Sequence, residues 1–136
     1  MSQYVESEKV ELKAKYTDTI CKELVAFLNA NGGQIIIGVD DNGNVIGVDK
    51  IDETLKRISH IITMQIEPNP QEEIRTELKF DSGKTLIVLF ILKGTRNIYC
   101  QKKYGFSSNE HLVQTFLLEN LKYIIRKMAF MLRIPQ

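Results

Sequence analysis

The sequence predicts an α/β (α+β) fold, a mixed β-sheet flanked by helices, and three observations carry that prediction. β-Branched runs stand at residues 34–39 and 84–92, apolar residues recur at helical spacing over 18–30 and 51–64, and breaks rich in Gly, Asn and Pro separate them. The expected order is β-α-β-β-α-β-β, then a short strand and a long C-terminal helix.

Val10, Leu12 and then Lys13, Lys15 give a short alternating stretch, which suits a brief half-buried strand at 8–14. Thr17 or Asp18 can cap the helix that follows. Ile20, Leu24, Val25, Phe27 and Leu28 lie at helical spacing, and Asn31-Gly32-Gly33 supplies the glycines that favour a helix end. Gln34 to Val39 reads as a strand covered on both faces, joined through Asp41-Asn42-Gly43-Asn44 to a second strand at 45–48 as a hairpin. Ile51, Leu55, Ile58, Ile61 and Ile62 mark one side of a second helix, ended by Glu67-Pro68-Asn69-Pro70. Strands at 72–80 and 84–92 then flank Asp81-Ser82-Gly83. A short strand runs through Tyr99, and 109–133 carries a wide apolar helical surface that includes Phe116, Leu117, Leu121, Ile125 and Met128.

The 136 residues fit one domain spanning 1–136, with 106–134 as an atypical C-terminal helical segment. The start has no basic region followed by an apolar run, and no stretch is apolar for the length of a membrane span. The expected location is therefore the cytoplasm, with no membrane partner. Cys21 and Cys100 form no CxxC pair and have few histidines near them in sequence, which points to reduced thiols rather than a disulfide or zinc site. His60 and His111 lack partners at ligand spacing, and no Ser-His-Asp arrangement or phosphate loop of the GxxxxGK[ST] type is present.

Formal net charge is +1, yet residues 1–92 hold 10 Lys/Arg against 15 Asp/Glu and residues 93–136 hold 8 against 2. A phosphate-binding surface should therefore draw on the second half.

Four segments stand in order: Glu6-Ser7-Glu8-Lys9-Val10-Glu11-Leu12-Lys13, then Ala26-Phe27-Leu28-Asn29-Ala30-Asn31-Gly32-Gly33, then Ile37-Gly38-Val39-Asp40-Asp41-Asn42-Gly43, then Lys93-Gly94-Thr95-Arg96. Together they resemble the Schlafen AlbA-like (AlbA_2) domain over roughly residues 5–100. The resemblance implies a DNA-binding module of a bacterial transcriptional regulator. One departure is plain: the family continues after its KGTR region with a Tyr-hydrophobic-Arg-hydrophobic-Gly-Ser strand, whereas this chain runs Tyr99-Cys100-Gln101-Lys102-Lys103-Tyr104-Gly105-Phe106.

The resemblance also implies a candidate metal site, since animal Schlafen nucleases carry carboxylates at positions matching Glu6, Glu11 and Asp41, or its neighbour Asp40. Hard oxygen ligands gathered at one place hold Mg²⁺ or Mn²⁺, which activates water and neutralises charge on the phosphate. Against this stands a simpler reading, in which Glu6 and Glu11 are strand-edge charges paired with Lys9 and Lys13 while Asp40 and Asp41 serve the turn. For phosphate contact the candidates are Lys13, Lys15, Lys93, Arg96, Lys102 and Lys103, with Tyr99 and Tyr104 interleaved as rings on which bases can stack.

Three functions compete. The leading one is a non-catalytic nucleic-acid-binding module, with DNA preferred to RNA as partner and no cofactor required for binding. The second is a ribonuclease dependent on Mg²⁺ or Mn²⁺. The third is a protein-interaction or dimerisation domain, for which the apolar surface of 109–133 would pair with a second copy to give a homodimer.

Overall fold

The computed structural model describes residues 3–95, 99–101 and Ile125. Its elements run β1 (Val10–Lys13), α1 (Ile20–Asn29), β2 (Gly33–Ile37), α2 (Ile51–Met64), β3 (Ile66–Glu67), β4 (Ile74–Asp81), β5 (Lys84–Ile91) and β6 (Cys100–Gln101). The expected mixed sheet with helices is present. Four strands form a sheet in the order β1-β2-β5-β4, with β1 parallel to β2 and the other pairs antiparallel, while β3 and β6 pair separately. The helix expected over 109–133 lies outside the described residues apart from Ile125, which is exposed.

Strand alternation divides the core between two faces of the sheet. Ile35, Ile37, Ile87 and Leu89 face α1 and α2, where they pack with Leu24, Leu28 and Ile58. Leu12, Ile36, Leu86 and Val88 face the other way and pack with Tyr4 and Val39. The apolar run of β2 is thus buried on both sides, as a central strand requires. Helix α1 is buried almost all round because it touches β5 on one side and β6 on another.

Thr19 occupies the N-cap of α1 without a side-chain cap bond, so neither Thr17 nor Asp18 serves as the cap. At the other end the Gly32 amide returns to the Phe27 carbonyl at 2.9 Å, with Gly32 at φ 74°.

The hairpin expected from 34–39 and 45–48 is reduced to one antiparallel bridge, Val39 to Val45. β2 stops at Ile37 because Gly38, at φ 108°, turns the chain, and its carbonyl takes the amides of both Ile46 and Gly47. The Asp40 carboxylate then accepts the amides of Asn42 at 2.9 Å and Asn44 at 2.8 Å. These side-chain bonds close the turn, while the Val48 amide goes to the Thr85 carbonyl instead of to β2. The short strand expected near Tyr99 is β6, whose partner β3 falls where only a helix end was expected.

Candidate nucleic-acid interface

A segment that carries Lys93 is laid against the end of α1 by residues of the ordered motifs. The Gly94 amide donates to the Leu28 carbonyl at 2.9 Å. Asn29 grips the Tyr99 backbone from both sides, accepting its N–H at 2.7 Å and donating to its carbonyl at 2.8 Å. A Cβ on Gly32 would run into the Ile91 carbonyl and the Lys93 amide, and one on Gly94 would run into the Tyr99 ring. Glu73, buried at the start of the β4 hairpin, accepts the Thr95 hydroxyl at 3.0 Å, and Thr95 donates its amide to the Tyr99 hydroxyl at 3.2 Å. These bonds fix Lys93 beside the turn at Asn31.

The result is a cleft of about 520 Å³ at the end of the sheet where β2 begins and β5 finishes, walled by Lys9, Arg75, Lys93, Gln34, Phe90 and Glu73 among others. Lys9 reaches it from just before β1 and donates to the Asn31 carbonyl at 2.6 Å. Arg75 is opposite Phe90 in the β4–β5 ladder, and its guanidinium stands 4.9 Å from the centre of the half-buried ring while bonding Glu77 at 2.7 Å. Three cations lining one cleft can hold phosphates. Glu72 and Glu73 line the same cleft and Glu77 pairs with Arg75, so among the described residues Lys9 and Lys93 are its cations without an ion pair to one of these carboxylates.

Of the expected binding residues, Lys93 lies in this cleft and is exposed. Lys15 is exposed on a separate cleft of about 340 Å³, beside Tyr16, Lys50 and Arg57. In that cleft, burial and a hydrogen bond to Asp18 raise the Tyr16 hydroxyl well above its ordinary pKa. Lys13 is committed elsewhere, in an ion pair with Glu23 of α1, with side chains 18% and 7% exposed. Tyr99 is buried to 1% and belongs to the core, so its ring is no stacking surface. Arg96, Lys102, Lys103 and Tyr104 lie outside the described residues.

The three carboxylates come from different parts of the fold. Glu6 is half-buried before β1, Glu11 lies within β1 on the side that faces α1, and Asp41 is exposed on the turn. The turn is organised by Asp40, whose carboxyl is held below its ordinary pKa, first by the Asn44 amide and further by the other bonds it accepts in the turn. Among the described residues no group of three or more His, Cys, Asp or Glu is gathered so as to hold a metal ion.

Lys9, Arg75 and Phe90 are additions to the residues expected in a binding site. The sequence does carry a signal for two of them: a two-residue turn at Ser82-Gly83 sets the ladder so that residue 75 meets residue 90. Lys9 offers no such signal, because its neighbours in space come from the helix end and the far hairpin.

Among the described residues no helix is long and apolar enough to cross a membrane. The family model described as Schlafen, AlbA_2 matches residues 6–115. No curated protein matches the chain. A solution NMR structure is similar at 22% identity and a TM-score of 0.58, covering 76% of each chain: the N-terminal domain of a protein from Nitrosomonas europaea described as related to the ATP-dependent DNA helicase RecG. The crystal structure of the DIP2311 protein from Corynebacterium diphtheriae is similar at 16% identity and a TM-score of 0.53, over 66% of this chain and 19% of that one. At these identities the two structures speak for the fold. The family match spans most of the chain, and the chain belongs to the Schlafen AlbA_2 family.

Proposed function

We propose that this member of the Schlafen AlbA_2 family is a non-catalytic nucleic-acid-binding module of a transcriptional regulator, preferring DNA to RNA and acting in the cytoplasm. The observation that carries the reading is the convergence of Lys9, Arg75 and Lys93 around Phe90 and Gln34 on one cleft. Contacts from such cations are made to phosphates and carry little sequence information. Arg96, Lys102 and Lys103, which follow Lys93 in the chain, are proposed to extend the surface.

The test is a fluorescence anisotropy titration of the full chain against duplex DNA, single-stranded DNA and RNA at several salt concentrations. Removing one phosphate-binding cation should flatten the slope of log affinity against log salt by about one unit, so the Lys9→Ala, Arg75→Ala, Lys93→Ala variant should flatten it by about three. A triple variant with unchanged affinity and slope would refute the assignment. A nuclease would need Glu6, Glu11 and Asp41 on one ion, and no observation among the described residues favours that reading.

A further inference from the structure

We propose that β4 is the seam of a two-fold dimer, in which it pairs antiparallel with β4 of a second copy, centred on Leu78. The first observation is the free edge. β4 is eight residues long and ends the sheet, and among the described residues no strand pairs with its outer side. Ser82 and Gly83 form a two-residue turn with φ 53° and 74°, so Asp81 and Lys84 are a hydrogen-bonded pair. Alternation then directs the amides and carbonyls of residues 79, 77 and 75 toward β5, and those of Thr76, Leu78 and Phe80 away from it. An exposed row of this kind is a template for another strand.

The second observation names the occupant. Arg75, Glu77, Lys79 and Asp81 alternate in sign along the face of β4 away from the helices. In the pairing centred on Leu78, Arg75 stands opposite Asp81 of the second copy and Glu77 opposite Lys79, each twice by symmetry. Slipping the second strand by two residues either way sets Glu77 against Glu77 or Lys79 against Lys79, and like charges directly opposite destabilise a ladder. The same centred register makes hydrogen-bonded pairs of Leu78 with Leu78 and Thr76 with Phe80, matching the groups that point outward.

The third observation is apolar surface. Leu78 and Phe80 are 43% and 75% exposed on the helix-side face of the edge, and the centred pairing sets each against the second copy's strand. A long edge bearing such residues is what folded proteins ordinarily cover. Within one copy Arg75 already bonds Glu77, and Asp81 accepts the Tyr4 hydroxyl and the Gln3 amide, so the cross-copy pairs would add to these bonds. A two-fold axis perpendicular to the sheet makes one continuous eight-stranded sheet and keeps like faces together. If the proposed binding cleft is correct, two copies of it then share one face.

The experiment measures mass by light scattering and sedimentation on the full chain without nucleic acid, so its outcome is independent of the binding proposal. Wild type should give a mass near twice 15.6 kDa at micromolar concentration. Glu77→Lys and Lys79→Glu should each weaken association by about tenfold or more, because symmetry turns two attractive pairs into repulsive ones. The double reversal should restore it. Leu78→Cys should be joined to its counterpart by a short bis-maleimide, since the two Cα atoms would lie about 5.5 Å apart. Phe80→Cys should not, with its two copies about 14 Å apart along the strands. Circular dichroism confirms that each variant is folded. A wild-type mass near 15.6 kDa throughout overturns the proposal, as does a dimer indifferent to both charge reversals, which would place the contact elsewhere, such as at 109–133.

Discussion

Replacing Lys13 with Met separates a structural lysine from a phosphate-binding one. Lys13 leaves the edge strand β1 and turns toward α1, where its ammonium donates to Glu23 Oε1 and to Thr19 Oγ1 at 3.4 Å. The Glu23 side chain is only 7% exposed and that of Lys13 18%, so the pair is largely shielded from water. Removing one partner of a fully buried pair costs about 3–5 kcal/mol, chiefly because the other charge is left desolvated. The residual exposure of Lys13 lets water reach the remaining carboxylate, which reduces the expectation to about 2–4 kcal/mol. For a chain of this length that corresponds to a fall in Tm of about 10 °C. Urea unfolding followed by circular dichroism reads the loss as a lower midpoint at constant slope. Replacing both partners, Lys13→Met with Glu23→Leu, should recover most of it, since apolar groups of similar volume substitute well for a buried pair. The salt slope of nucleic-acid binding should not change in either variant. A Lys13→Met protein that keeps its stability and whose salt slope flattens by one unit would refute this account and return Lys13 to the binding surface.

Three further outcomes follow from the geometry. Gly32→Ala should cost about 2 kcal/mol or more and weaken nucleic-acid binding, because its Cβ meets the backbone at Ile91 and Lys93 at φ 74°; Gly83→Ala, at the same φ with nothing within 4 Å, should cost about 1 kcal/mol from strain alone. Cys21, fully buried and with its thiol pushed up to about 12 by burial, should resist a thiol-specific disulfide reagent at neutral pH until denaturant is added. Asp40 is held below its ordinary value of 3.8, so its contribution to stability is present above that pH and is lost as pH falls through the depressed value; Asp40→Asn should lower Tm at neutral pH and flatten the acid limb below about 4, so that variant and wild type converge at low pH.

Elements with a strong local pattern are legible in the sequence. Helix α2 runs over the expected Ile51–Met64 because its apolar stripe is regular and proline follows it. The β4–β5 hairpin agrees within two residues at each end, since Ser82-Gly83 permits only a tight turn. The hairpin after β2 departs from expectation because the Gly38 carbonyl takes both the Ile46 and Gly47 amides and the Val48 amide goes to the Thr85 carbonyl of β5. β3 leaves no trace in the pattern, because a two-residue strand carries no periodicity and exists only through its pairing with β6. The candidate site is less legible than the fold. Charge summed along the chain makes the first half acidic, yet Lys9 and Arg75 from that half meet Lys93 in the cleft, because folding sorts charge by face and by register.

Tyr99 shows how a residue can serve a binding surface without touching a ligand. Its place just before two lysines suggests a ring for stacking, but it is buried to 1%, with its backbone held by Asn29 and its hydroxyl by the Thr95 amide. Glu73 joins the same network through Thr95, and its main-chain carbonyl accepts the Leu92 amide at 2.8 Å. The Asn29, Gly32, Gly94 and Thr95 positions of the ordered motifs therefore share one mechanical task, holding 92–95 in place between the end of α1 and the start of β4. Lys93 is carried by that network and stands exposed at the rim of the cleft. The family motif on this reading specifies the mount, and the cations standing on the mount specify what is bound. Substitutions in the mount should lower stability and affinity together, whereas substitutions of Lys9 or Lys93 should lower affinity and leave stability nearly unchanged.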